Sequence, residues 1–209
     1  MLTQLTLNKF LDELASDSPA PGGGSVAALA GALGSALTSM VSNLTIGKKK
    51  YQDVEVEMRN IVQQSDELRQ RFTTLVDQDT FAFNKVMEAY GLPKETDNQK
   101  ALRDAAIQEA TKEAALVPLE VMKHVIDALA LAKTVAEKGN VNSVSDAGTS
   151  ALMLNAALEA AALNVKINLN SINDTEFAGW KTEEVLSLQR TCGNMTEEIL
   201  GIVGRKINV

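Results

Sequence analysis

Residues 51–90, YQDVEVEMRNIVQQSDELRQRFTTLVDQDTFAFNKVMEAY, contain neither glycine nor proline. Within them Val54, Met58, Ile61, Ser65, Leu68, Phe72, Leu75, Asp79, Ala82, Val86 and Ala89 form a seam whose steps alternate four and three. That is heptad spacing, so one face of a helix roughly 58 Å long should pack along a neighbour. Asp79 interrupts the seam. A carboxylate at a core position loses hydration and has to be paired, hydrogen-bonded or protonated. Aspartate is also a weak helix former, so packing does not account for it. It is either half of a structural ion pair or a functional acid whose pKa burial raises, and the second reading is preferred.

Upstream, Pro19-Ala-Pro-Gly-Gly-Gly-Ser25 leads into a stretch with no charged residue between Asp17 and Lys48. Each proline fixes φ and disfavours helix in the residue before it, so a helix is expected to begin near Ser25, a good N-cap. Gly22, Gly23 and Gly24 allow positive φ and close approach of a ligand, and free N–H groups at a helix start suit a carboxylate or phosphate. A plain turn and cap explains the same residues. The spacing is neither G-x-G-x-x-G nor a Walker P-loop. Along Ser25–Asn43, Ala27, Ala30, Gly31, Gly34, Ser35 and Thr38 are small, which lets helix axes approach closer than the usual distance of about 8–10 Å. A central helix surrounded by others is implied. It ends at Gly47 and Lys48-Lys49-Lys50-Tyr51. Three lysines before a helix start oppose its dipole, so they are either a solvated run or a seat for an anion.

The remaining segments also read as helices. Leu7, Phe10, Leu11 and Leu14 give an amphipathic helix over residues 3–16. Another is expected from Thr96 to Glu137, with Pro118 kinking it near Ala114. The one histidine, His124, has no second histidine beside it for a metal site. Gly139 to Asp146 forms a loop carrying Asn140 and Asn142, with Ser143 or Ser145 able to cap the next helix and Asp146 suited to its first turn. On that helix Asp146, Ser150, Ala157, Ala161, Asn164 and Asn168 share a small, polar stripe, which lines a groove or makes a close helix contact. Its ends are roughly 33 Å apart, too far for one small substrate. Asp174 should cap a short segment through Trp180, and Thr182 a last helix to Arg205. The expected fold is all-α, a multi-helical up-and-down bundle of long helices, with residues 1–209 as a single domain that pairs as a homodimer.

Composition narrows the function. With 22% charged and 45% apolar residues the chain is an ordinary globular protein. A net charge of -7 argues against nucleic-acid binding, with Lys48–Lys50 a local exception. The single cysteine, Cys192, excludes an internal disulfide and fits a cytoplasmic location. No signal-peptide pattern opens the chain, and the apolar run from Val26 to Val41 falls short of the roughly 20 residues a membrane span needs. Neither a metal nor a resident cofactor is indicated.

Several segments together resemble the cyclodeaminase part of the formiminotransferase-cyclodeaminase family and its stand-alone relatives, which include methenyltetrahydrofolate cyclohydrolases. They are Pro21-Gly-Gly-Gly-Ser25 through Met40-Val41, Leu44 to Tyr51, Asp79-Thr80-Phe81-Ala82-Phe83, and Gly139-Asn140 through Ser145-Asp146 to Asn164–Leu169. The resemblance implies an all-α dimer acting on a tetrahydrofolate substrate. The expected reaction closes 5-formiminotetrahydrofolate to 5,10-methenyltetrahydrofolate with loss of ammonia; the alternative interconverts the methenyl and 10-formyl forms with water. A formiminotransferase domain is absent, so a separate protein would load the formimino group. Asp79 is the first candidate acid or base and Asp146 the second. Pro21, Gly22, Gly23, Gly24 and Ser25 would hold substrate, Lys48, Lys49 and Lys50 would meet the mono- or polyglutamate tail, and Tyr51 would pack on a ring. Asn140, Asn142, Asn164 and Asn168 would bond heterocycle edges. A helical scaffold without chemistry is the third reading, in which Asp79 is one half of an ion pair.

Overall fold

The computed structural model describes residues 1–207, and helix is the only regular secondary structure among them. The principal helices are α1 (Leu7–Leu14), α2 (Gly23–Asn43), α3 (Glu55–Tyr90), α4 (Asp97–Lys138), α5 (Val144–Leu169) and α6 (Thr175–Ile207). Short 3-10 turns cover Leu2–Gln4, Lys49–Val54 and Val141–Ser143. Helices consecutive from α2 onward run antiparallel. Lys138 at the end of α4 bonds Glu57 at the start of α3, and Lys85 near the end of α3 pairs with Glu113 on α4. The up-and-down arrangement read from the sequence is therefore present.

The α3 seam is the core face it was expected to be. Met58, Ile61, Ser65, Phe72, Leu75, Ala82 and Ala89 are buried along it. Small residues on α2 bring the helices together: a Cβ on Gly31 would meet Phe72 at 2.6 Å, and one on Gly34 would meet Leu154 at 2.6 Å. The Ser150 hydroxyl donates to the Gly34 carbonyl at 2.7 Å, which ties α5 to α2 at that close crossing. Cys192, buried between α5 and α6, has its thiol pushed up to about 11 by burial, which makes it a core residue and no nucleophile. His124 stands edge-on to Phe72 with centroids 6.1 Å apart.

Three expectations need correction. The first helix is only Leu7–Leu14, because the Thr6 side chain caps it and the chain before it turns to let Leu2 and Thr3 bond Asp77. The last helix does not restart at Thr182. Asp174 caps α6 by accepting from Phe177, and the helix then continues with no proline to stop it, the Thr182 hydroxyl donating back to Ala178. Finally, α2 is not enclosed on every side: Val26, Leu33, Met40 and Leu44 form an exposed apolar stripe along it. By length and composition Gly23–Asn43 would satisfy the requirement for a membrane span, yet 61% of that window is buried against the other helices.

Candidate active site

The N-terminus of α2 meets the middle of α3 and the far part of α5. Gly22, with φ -129° and ψ -158°, is the N-cap, so the helix starts at Gly23 and Ser25 lies in its first turn. Ser25 therefore does not cap the helix. It is fully buried, and its hydroxyl donates toward Asp79 Oδ2 at 2.9 Å, with the Val76 carbonyl at 3.1 Å and the Thr80 hydroxyl at 3.3 Å. Its geometry is that of a side chain positioning Asp79, with no surface left to touch a ligand.

The glycines are needed for proximity, not for positive φ, which among them none adopts. A Cβ on Gly24 would stand 2.0 Å from Asp79 Oδ1, and one on Gly23 would stand 3.0 Å from Asn164 Nδ2. The bare backbone thus brings a carboxylate from α3 and an amide from α5 against the same helix start. Pro21 is buried behind the bend, following a cis Ala20–Pro21 peptide.

A cleft of about 340 Å³ opens here. Pro19, Ala20 and Gly22–Gly24 form its base, Asp79, Phe83 and Val86 its α3 wall, Asn164, Ile167 and Asn168 its α5 wall, and Ala114 of α4 closes it. Asp79 is the one ionisable side chain in this lining. Burial pushes its carboxyl above the ordinary carboxylate range, against the pull of hydrogen bonds from Ser25. Its side-chain partner is a hydroxyl and no cation is among the causes of its shift, so the ion-pair reading of the seam position fails. What stands in the cleft is a partly desolvated acid on a rigid helix, beside a helix N-terminus and two amides. Such a group can exchange a proton with a bound molecule more readily than an ordinary surface carboxylate.

The other sequence candidates lie elsewhere. Twenty-one residues of α2 separate the glycine bend from the lysine end, roughly 30 Å. There Lys48, Lys49 and Lys50 are exposed, Lys50 lying 5.5 Å from the Tyr51 ring centroid. The Tyr51 hydroxyl accepts from the Val141 amide at 3.0 Å, so the ring braces the loop before α5. Asn140 is buried and fully engaged: its Nδ2 donates to Leu44, its Oδ1 accepts from the Asn142 amide, and its own amide donates to Thr45. Asn142 is exposed, and Asp146 sits in the first turn of α5 at this same end. None of these residues lines the cleft, and Asp146 does not pair with Asp79 as a second acid. Adjacency in sequence brought lysines and glycines into one stretch, but a straight helix holds its two ends apart.

Phe83, Val86, Ile167 and Ala114 were not singled out from the sequence. Val86 is read from the periodicity as core and Phe83 stands beside that seam, four residues after Asp79; only the end of α2 at Gly22 leaves them lining an opening. The signal for Ala114 was present in Pro118, four residues on, whose missing N–H leaves the Ala114 carbonyl without its helical donor.

Residues 6–187 match the formiminotransferase-cyclodeaminase family. A methenyltetrahydrofolate cyclohydrolase from Methylorubrum extorquens is 47% identical over 97% of this chain and 98% of its own. A formimidoyltransferase-cyclodeaminase from Mus musculus is 34% identical over 96% of this chain, which spans only 37% of that protein. The crystal structure of formiminotetrahydrofolate cyclodeaminase from Thermotoga maritima matches with a TM-score of 0.89 at 34% identity, covering 99% of this chain and 100% of that one.

Proposed function

Because the chain belongs to the formiminotransferase-cyclodeaminase family, we propose that it is a tetrahydrofolate one-carbon enzyme that makes or breaks a bond at the carbon bridging N5 and N10. The observation that carries this is Asp79: a desolvated carboxyl with no cationic partner, held by Ser25 at the glycine bend. Two reactions use such a group in the same way. In the hydrolytic one, Asp79 takes a proton from water as its oxygen adds to the methenyl cation's carbon, and gives it to N5 as the C–N5 bond breaks; the remaining hydroxyl proton passes to solvent, leaving 10-formyltetrahydrofolate. In the deaminating one, N10 adds to the carbon of the protonated formimino group, Asp79 takes the N10 proton and passes it to the amino nitrogen, and the C–N bond breaks to release ammonia as the methenyl cation closes. Both pass through a tetrahedral carbon, and one positioned acid-base serves both.

The full-length cyclohydrolase relative supports the hydrolytic reading and the Thermotoga structure supports the deaminating one. Purified protein given 5,10-methenyltetrahydrofolate and, separately, 5-formiminotetrahydrofolate decides between them: loss of methenyl absorbance selects the first, and its appearance with ammonia release selects the second. For the second, a separate formiminotransferase would supply the substrate. The proposed enzyme works as one catalytic domain, in the cytoplasm, with folate as substrate and no resident cofactor. A glutamate tail would have to be long to reach from the cleft to Lys48–Lys50, roughly 30 Å away.

The exposed stripe Val26, Leu33, Met40 and Leu44 supports a homodimer formed along α2, since a contiguous apolar face on a soluble protein marks an interaction surface. Leu33→Glu, at the centre of the stripe and 49% exposed, is expected to halve the mass seen by light scattering, leaving the 22.4 kDa chain folded and alone. An unchanged dimer mass would move the interface elsewhere.

A further inference from the structure

The way the folate lies in the cleft follows from which atoms the cleft leaves available, given the folate reading above. Asn168 Nδ2 donates to the Asn164 carbonyl at 2.9 Å and to the Ala114 carbonyl at 3.4 Å. Both of its N–H bonds are thereby taken up by the protein. Asn164 Nδ2 donates to the Ala160 carbonyl at 2.8 Å. Each amide is turned so that nitrogen bonds the preceding turn of α5, and neither Oδ1 accepts a hydrogen bond from these partners. The Ala114 carbonyl should accept from the amide of residue 118, but residue 118 is proline. It retains only the long bond from Asn168, and a carbonyl has two lone pairs.

Three residues lining the cleft therefore keep acceptor capacity that the protein does not use: Asn164 at Oδ1, Asn168 at Oδ1 and Ala114 at its carbonyl. A ligand must face them with N–H groups, because acceptor against acceptor leaves both desolvated and unbonded. In a tetrahydropteridine the N–H groups cluster on the pyrimidinone side, at the 2-amino group and N3, whereas the reacting bridge lies at the opposite end of the bicycle. We propose that the 2-amino and N3 edge of the folate is received by Asn168 and the Ala114 carbonyl, which Pro118 keeps without a helical donor, and that this sets the bridging carbon against Asp79. Asn168 lies one helical turn beyond Asn164, about 6 Å along α5. Asn164 in turn faces Gly23, next to the Gly24 that touches Asp79. The edge-binding Asn168 on the α5 wall and the acid Asp79 on the α3 wall thus stand on different walls of the cleft, which Phe83 and Ile167 also line.

Calorimetric titration of the unreactive probe 5-formyltetrahydrofolate and of its 2-desamino-2-methyl analogue tests this on wild-type protein and on Asn168→Ala. Wild type is expected to bind the analogue about 10-fold more weakly than the parent, the loss of one or two hydrogen bonds to a desolvated site. In Asn168→Ala that discrimination should fall to about 3-fold or less, because one acceptor is gone. Equal binding of parent and analogue by wild type would overturn the orientation while leaving the folate reading intact, and it decides the matter even if Asn168→Ala does not fold. Full discrimination retained by a folded Asn168→Ala would likewise overturn it. Failure of the parent itself to bind would remove the folate reading, and this inference with it.

Discussion

Asp79→Asn is expected to fold and to lose about 100- to 10,000-fold in kcat, the range associated with removing a positioned general acid-base. The amide is nearly isosteric, so Phe72, Val76 and the rest of the buried α3 face keep their packing. The Ser25 hydroxyl can still bond the remaining oxygen. What disappears is the exchangeable proton. The same variant carries a stability signature of opposite sign. Burial raises the Asp79 pKa in the folded state above the ordinary value of 3.8. Protonation therefore stabilises the wild-type fold fully below about pH 3.8, and that contribution is lost as pH rises through the folded-state pKa. At pH 7 wild type holds a desolvated charge that the amide lacks. Asp79→Asn should accordingly melt higher than wild type at pH 7, and the two melting curves should converge in acid. A variant that is both fully active and no more stable at pH 7 would leave Asp79 without either role.

Gly24→Ala should be nearly as damaging although it removes nothing. The added methyl would meet Asp79 Oδ1 at 2.0 Å, so the carboxylate or the start of α2 has to move. Overpacking of this kind costs about 1–3 kcal/mol. Moving the acid by about an ångström can cost on the order of 100-fold in rate. The expected result is a folded protein with a lowered Tm and a kcat reduced about 100-fold. Gly23→Ala meets a softer neighbour, the end of the Asn164 amide at 3.0 Å, and should act mainly on KM. If Gly24→Ala were fully active, the bend would be a turn and nothing more.

The fold was legible because its signals are periodic. The alternating steps of four and three around Phe72 define α3, and the helix expected from Thr96 to Glu137 is found as α4, Asp97–Lys138, whichever tertiary partner each finds. Asp79 was legible as an exception within that period. Of the reasons read for the glycines, positive φ is not realised, and contact with Asp79 was not foreseen, because it depends on how α2 crosses α3. The lysines and Tyr51 were grouped with the cleft because they share one stretch with the glycines, across a helix of 21 residues, and Asn140, Asn142 and Asp146 because the family resemblance covers them. The Ala114 carbonyl was legible only in part: Pro118 shows that it loses its helical donor, but not that Asn168 and a cleft lie in front of it.

A crystal structure with 5-formyltetrahydrofolate bound would test the central claim most directly. The account predicts the pteridine between α3 and α5, with the formyl carbon on N5 within about 4 Å of the Asp79 carboxylate, the reach of a proton transfer directly or through one water. A folate seated at the Lys48–Tyr51 end, with the glycine bend and Asp79 untouched, would contradict it.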